Sequence, residues 1–161
     1  MGKRLKRLVA RLRLYWLAAR LYETWQLLAR PHTHGALVAI WHEQRVLLVQ
    51  ASYRHGLGLP GGGLERRETA RQAAVRELAE ELGLTVSPME LEDPWQITET
   101  SARGTNTVTI FTLRAEREPR IRLDGLELVA AHWLMMQEAL GRPLVSHVRE
   151  YLMQRGCYNS S

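Results

Sequence analysis

Cysteine is almost missing from this chain: Cys157 is the single example in 161 residues. One thiol excludes an internal disulfide and a cysteine-rich zinc site, and it fits a reducing cytosol. Serine and cysteine nucleophile motifs are absent, and so are internal repeats and low-complexity segments. No long apolar run is uninterrupted. In the most apolar stretch, residues 5–28, Arg11, Arg13 and Arg20 break the run, and each would cost about 2.5–3.5 kcal/mol at mid-bilayer. The same stretch lacks the unbroken core and small-residue cleavage site of a signal peptide. Asn159-Ser160-Ser161 spells a glycosylation sequon, but without a secretion signal it reads as accidental. The expected location is cytoplasmic.

What is present is enough chain for one domain with a proper core, at 45% hydrophobic content. The net charge of +5 is unevenly spread. Residues 1–30 hold eight basic side chains against Glu23 alone, a charge of +7, which leaves −2 on the rest. A slightly acidic domain therefore carries a basic arm, a signal about partners rather than fold. The arm is expected to be a helix from about Leu5 to Leu28, stopped by Pro31. Leu5, Leu8, Leu12, Tyr15, Ala19 and Tyr22 form one stripe, and Leu14, Leu17, Leu21, Trp25 and Leu28 a second. Residues 1–31 are thus read as a basic amphipathic N-terminal helix. It suits packing on its own domain or on a second subunit of a homodimer, or peripheral contact with an anionic membrane surface. Nucleic acid is disfavoured, because no recognised module accompanies the charge.

Residues 58–84 are the most informative stretch. Thr69 and Gln72 make a capping box, Ala70–Leu82 contains good helix formers without Gly or Pro, and Gly83 stands where a C′ residue belongs. Val75, Leu78 and Leu82 form a core-facing stripe. Glu77, Glu80 and Glu81 cluster on another face, spanning roughly a quarter of the circumference. Like charges at that spacing repel by a few tenths of a kcal/mol. Hard divalent cations with oxygen ligands, above all Mg²⁺, would compensate. That face is expected to be solvated. Upstream, Pro60-Gly61-Gly62-Gly63 lets backbone approach an anionic ligand or metal, since glycine has no Cβ. Gly56-Leu57-Gly58-Leu59-Pro60-Gly61 matches G-x-G-x-x-G, but no helix opens at these glycines, so a dinucleotide fold is rejected.

Gly62, Glu68, Arg76-Glu77-Leu78, Glu80-Glu81 and Gly83-Leu84 stand at the spacing of the Nudix box, and Leu59–Gly63 resembles its usual lead-in. The chain resembles the Nudix hydrolase (MutT-type) family over about residues 35–155. The resemblance implies cleavage of nucleoside diphosphates linked to another moiety, with Mg²⁺ or Mn²⁺. It also implies metal ligation by Glu77, Glu80 and Glu81 with a main-chain carbonyl of Gly61 or Gly62. One of the glutamates, or one on a distant loop, would be the general base. Glu68 would make an outer metal contact. Arg76 would pair with a box carboxylate and keep it ionised. Gly61, Gly62 and Gly63, with Arg54, are the expected substrate contacts. Glu127, on a late strand, is the candidate for an extra ligand or base.

The rest alternates β and α. Ala36–Trp41 and Arg45–Gln50 read as a hairpin around His42-Glu43-Gln44, and Trp95–Ser101 and Thr105–Ala115 as a second pair around Ala102-Arg103-Gly104. Thr107 and Thr109 alternate with Val108 and Ile110 as in a half-buried strand. Leu126–Leu134 reads as a strand, and Met136–Leu140 and Leu144–Met153 as short helices. A mixed sheet between helices follows, the α/β/α sandwich of the Nudix fold, plus the N-terminal helix. His32 and His34 read as surface residues, and His55 as a loop residue within reach of phosphate. Trp95 is a base-stacking candidate, and Trp133 a core residue. The resemblance implies a nucleotide-type small-molecule substrate, but no subgroup signal beside the box identifies it. A non-hydrolytic binding module tethered by the arm is the alternative, although such a relic should have lost box glutamates and this chain keeps all of them.

Deleting residues 1–30 should leave hydrolysis of a small substrate within about tenfold, the scale of modest indirect effects rather than lost catalytic groups. A membrane role predicts that the full-length protein pellets with anionic vesicles and releases as salt rises. A packing role predicts aggregation or a changed oligomer size after the deletion. An unchanged monomer that never bound vesicles would rule out both.

Overall fold

The structure, a computed structural model, describes residues 32–101, 104–123 and 125–158. The helix expected within residues 1–31, the loop residues Ala102 and Arg103 and the sequon at 159–161 lie outside these. The chain separates into two compact units, residues 34–97 with 107–161 and residues 1–33 with 98–106. In the second unit, Thr33 Oγ1 donates to Asn106 Oδ1 at 2.9 Å.

The described elements are β1 (His32–His42), β2 (Arg45–Ala51), β3 (Leu57–Gly58), β4 (Gly61–Gly63), α1 (Ala70–Leu82), a short 3₁₀ turn (Pro88–Glu90), β5 (Glu92–Ser101), β6 (Gly104–Arg114), β7 (Leu128–Met135), α2 (Met136–Leu140) and α3 (Ser146–Tyr158). The strands form one mixed sheet in the order β3-β2-β1-β6-β5, with β4 paired to β1 and β7 to β2. His42 pairs with Arg45, so the first hairpin turns on Glu43-Gln44 alone. Glu43 adopts φ 53°, as two-residue hairpin turns of the primed type require.

Strand alternation sorts the apolar side chains into two cores, one on each face of the sheet. Val38 and Ile40 of β1, Leu47 and Val49 of β2, and Phe111 and Leu113 of β6 pack with Ala73, Ala74, Leu78 and Leu82 of α1. Their neighbours Ala39, Val46, Leu48, Val108 and Ile110 pack with Val148, Tyr151 and Leu152 of α3. This is the expected α/β/α sandwich. Helix α1 follows its local signals closely. Thr69 and Gln72 cap each other reciprocally, and Gly83 sits in the left-handed region at φ 65°. Leu78 and Leu82 are fully buried, while Val75 is only partly so.

Several expectations are corrected. Strand β6 is buried on both faces from Val108 to Leu113 rather than half-buried, because helices cover both sides of the sheet. Strand β7 starts at Leu128, which leaves Leu126 and Glu127 in the preceding bend. Helix α3 starts at Ser146; Leu144 instead forms a parallel bridge with Leu57. Trp95 is half-buried, with its ring 5.8 Å from that of Tyr151 beside the α3-side core. Trp133 does pack against the α1-side core, edge-on to His42.

Leu78→Ala should cost about 2–5 kcal/mol by opening a cavity under α1. Urea unfolding measures it, and an unchanged midpoint would refute the orientation of the helix.

Candidate active site

Three elements build the site. Strand β4 lies antiparallel to β1, with Gly61, Gly62 and Gly63 opposite Leu37, Ala36 and Gly35. Gly61 has φ 129°, and a Cβ there would stand 2.2 Å from the Ala36 carbonyl oxygen, so only glycine fits. A Cβ on Gly62 would fall 2.4 Å from Glu77 Oε1; the strand backbone and the helix carboxylate are thus in direct apposition. Helix α1 supplies the glutamates, and the turn before it supplies Glu68.

Arg76 draws these elements together. Its Nε donates to Glu68 Oε1 at 3.0 Å, and Nη1 donates to Glu77 Oε1 at 2.8 Å and Glu80 Oε2 at 3.1 Å. Nη2 donates to Glu68 Oε2 at 3.0 Å and to the Gly63 carbonyl at 3.1 Å. The guanidinium pKa is raised, chiefly by Glu68 and then by Glu77 and Glu80, against the opposing effect of burial. The Glu68 carboxyl is held below its ordinary value by Arg76 first, and then by the Glu65 N–H that it accepts at 2.8 Å. Glu77 goes the other way. Burial pushes its carboxyl up, the Arg76 bond only partly offsets this, and repulsion from Glu80 and Glu127 adds to the rise.

The glutamate face is not uniformly solvated, contrary to the sequence expectation. The Glu80 side chain is 60% exposed, but that of Glu77 is 12% exposed. Glu81 is buried and accepts the Gly61 N–H at 2.8 Å on Oε2. The sheet edge at β4 closes over that side of the helix, which helical spacing alone could not reveal.

Of the other expected site residues, Glu127 is exposed and lies close enough for its charge to act on Glu77. Its carbonyl accepts the Ser52 N–H at 2.8 Å, and the Leu126 carbonyl accepts from Ser52 Oγ at 2.9 Å, so the bend carrying it is fastened to the end of β2. Arg54 sits on an exposed loop with its guanidinium 5.7 Å over the Tyr53 ring rather than among the carboxylates. His32, His34 and His55 are exposed. Among the described residues, no three acidic, His or Cys side chains stand close enough to hold an ion between them. Arg76 and the Gly61 N–H occupy the carboxylates instead.

The sequence reading missed a cavity of about 250 Å³ on the α3 side of the sheet, where Gln50, Leu57, His132, Leu134, Arg142 and Pro143 meet. No sequence signal joins residues so far apart in the chain. A larger recess of about 590 Å³, lined in part by Trp41, Arg114 and Arg155, opens toward the hairpin end of β1, away from the glycines. Its arginines are already engaged, Arg155 with Asp93 and Thr112, and Arg114 with Glu92.

The sequence model of the NUDIX domain matches residues 31–155, and the chain belongs to the Nudix family of hydrolases. No curated relative matches it. Among solved structures it is similar to the MutT protein of Methanosarcina mazei Go1, at 20% identity and TM-score 0.69, over 82% of this chain and 98% of that one. It is also similar to the Escherichia coli dihydroneopterin triphosphate pyrophosphohydrolase, at 27% identity and TM-score 0.61, over 78% and 94%. A third is the bifunctional NMN adenylyltransferase/ADP ribose pyrophosphatase of Francisella tularensis, complexed with AMP and a Mn ion, at 22% identity and TM-score 0.65, over 94% and 48%. None of the helices among the described residues is long and apolar enough to cross a membrane.

Glu81→Ala removes the acceptor of the Gly61 N–H and should cost about 1–3 kcal/mol, the penalty of an orphaned buried donor. Glu81→Gln keeps a carbonyl oxygen there and should cost clearly less. Denaturant unfolding of the two variants makes the comparison; equal losses would show that the bond does not hold β4 to α1.

Proposed function

We propose that residues 35–155 form a catalytic domain that hydrolyses the pyrophosphate linkage of a nucleoside diphosphate joined to another moiety, with residues 1–31 as an accessory arm. The observation that carries this reading is Glu77. It is a largely buried carboxylate in apposition to the Gly62 backbone, pushed toward protonation by burial and by the charges of Glu80 and Glu127. A group with that excess of neighbouring negative charge fits a divalent cation.

The donor set fits Mg²⁺ or Mn²⁺, because the side chains gathered here offer hard carboxylate oxygens and no soft ligand. Glu77, Glu80 and Glu81 would hold the ion once Glu77 and Glu80 turn from Arg76, with a carbonyl of Gly61 or Gly62 and with Glu127 as a further ligand. Such an ion neutralises charge on phosphate oxygens and acidifies water at the site. The remaining work falls to the chain itself. Arg76 holds the carboxylates in place across the helix turn. The glycines of β4 let a phosphate come close to the backbone, where any side chain would intrude. A glutamate, or Glu127 on its fastened bend, accepts the proton of the attacking water. The protein of 27% identity is, by its name, a triphosphate pyrophosphohydrolase, which supports the same bond class here.

The test is phosphate release from nucleoside triphosphates, nucleotide sugars and dinucleoside polyphosphates with Mg²⁺. Glu80→Gln should lower kcat by at least about 10²-fold, the scale of a lost catalytic electrostatic contact, while the exposed position of the residue leaves folding intact. Turnover unchanged in Glu80→Gln at saturating Mg²⁺ would remove Glu80 from the site, and no turnover of any substrate by the wild type would favour the binding-module alternative.

A further inference from the structure

The cavity on the α3 side of the sheet is joined to the glycine strand by continuous chain. Leu57, in its wall, lies four residues before Gly61, no more than about 14 Å of extended backbone. Its walls are fastened. The Leu57 N–H donates to the Pro143 carbonyl at 2.8 Å, and the Val145 N–H donates to the Leu57 carbonyl at 3.0 Å. Gly56 has φ 92°, and a Cβ there would meet the Pro143 carbonyl oxygen at 3.3 Å, so the closeness of the two walls depends on glycine. At about 250 Å³ the cavity falls below the range of sites that enclose whole drug-sized ligands and suits a single ring system.

Its polar groups have fixed hydrogen-bonding senses. Gln50 Nε2 is engaged by two carbonyls, those of Ala51 at 3.0 Å and Arg54 at 2.7 Å. Oε1 remains as the acceptor of that amide. Arg142 is exposed, and its backbone is held by Arg149, which donates to its carbonyl at 2.9 Å. The Arg142 guanidinium can only donate. His132, exposed on β7, adds a ring nitrogen of either sense. Leu57, Leu134 and Pro143 supply apolar wall. A heterocycle that matches must offer an acceptor edge to Arg142 and a ring N–H to Gln50.

We propose that this cavity reads the base of the nucleotide whose pyrophosphate is cleaved at the glutamates, and that Arg142 and Gln50 select a 6-oxopurine over a 6-aminopurine. A 6-oxopurine presents O6 and N7 as adjacent acceptors, the edge that arginine pairs with in two parallel bonds. Its N1–H is the donor that Gln50 Oε1 requires. A 6-aminopurine replaces the O6 acceptor with a donor that opposes the guanidinium and has no N1–H. The proposal rests on the hydrolase reading and specifies the substrate of that same site.

The test compares kcat and KM for GTP, ATP and a ribose pyrophosphate ester that lacks a base, with Mg²⁺. The wild type should favour GTP over ATP by at least about tenfold, the scale on which an unpaired polar group is rejected. Arg142→Ala should collapse that ratio mainly through KM for GTP, and Arg142→Lys should restore only part of it, because lysine lacks the paired donors. A loss shared equally by all three substrates, or an unchanged ratio, overturns the proposal and leaves the hydrolase reading standing. Binding of GMP and AMP, followed by the imidazole NMR signals of His132, needs no turnover. Shifts with GMP that vanish in Arg142→Ala support the cavity, and equal responses to both nucleotides, or none, refute it. Failure of the wild type to hydrolyse any of the panel would instead strike the hydrolase reading itself.

Discussion

The Arg76 guanidinium is what lets three carboxyl groups, Glu68, Glu77 and Glu80, stand within one helix turn and the loop before it. Its five N–H donors go to Glu68, Glu77, Glu80 and the Gly63 carbonyl. Glu77, Glu80 and Glu81 at adjacent turns repel one another, and Glu77 is mostly withdrawn from water as well. A lysine at this position is a point charge on a flexible stem and could not make the same set of bonds, whereas the planar fork reaches forward to Glu80 and back to Glu68 together. Because one of its partners is the carbonyl of Gly63, the same group ties α1 to the strand of glycines. The cluster is therefore both the charge balance of the site and the joint between its two main elements.

The glycines show the complementary constraint. A three-glycine strand is poor by intrinsic preference, since glycine loses more conformational freedom on ordering than any other residue. Here the first two positions are taken up by close approach. Gly61 abuts the carbonyl of Ala36, and Gly62 abuts the Glu77 carboxylate. The Gly61 N–H, turned toward α1, finds its partner in buried Glu81. A local rule of sheet formation is broken where backbone and carboxylate must nearly touch, which is the pattern expected of a functional site rather than of a scaffold strand.

How much was legible in the sequence follows from the range of each signal. Helix α1 was readable to the residue, because its cap, its apolar stripe and its terminal glycine all lie within a few residues of one another. The first hairpin and α2 were readable for the same reason. The burial of Glu81 was not, because it depends on β4 arriving from outside the helix, and helical spacing gives direction without saying what lies there. The two-sided burial of β6 likewise reflects helices contributed by distant segments. Arg54, expected near phosphate from its position in the chain, stands on an exposed loop with its guanidinium over Tyr53. The cavity of Gln50, His132 and Arg142 had no local signature, since the β2–β7 pairing and the bridge from Leu57 to Leu144 bring those segments together.

Charge accounting links the site to its proposed cation. Four carboxyl groups, Glu68, Glu77, Glu80 and Glu81, are matched by one guanidinium, and Glu127 adds another negative charge within range of Glu77. Without an ion, the fold settles the deficit unequally. Glu68 takes two Arg76 bonds and stays easily ionised, Glu81 takes a backbone N–H, and Glu77 is left with its carboxyl raised. A divalent ion recruited to Glu77 and Glu80 would compete with Nη1 of Arg76 for the same oxygens, yet Arg76 would keep Glu68 and the Gly63 carbonyl through Nε and Nη2. The joint between helix and strand can thus persist while the metal-facing bonds are exchanged. Within the guanidinium, the bonds that join α1 to β4 lie on Nε and Nη2, and those that a cation would replace lie on Nη1.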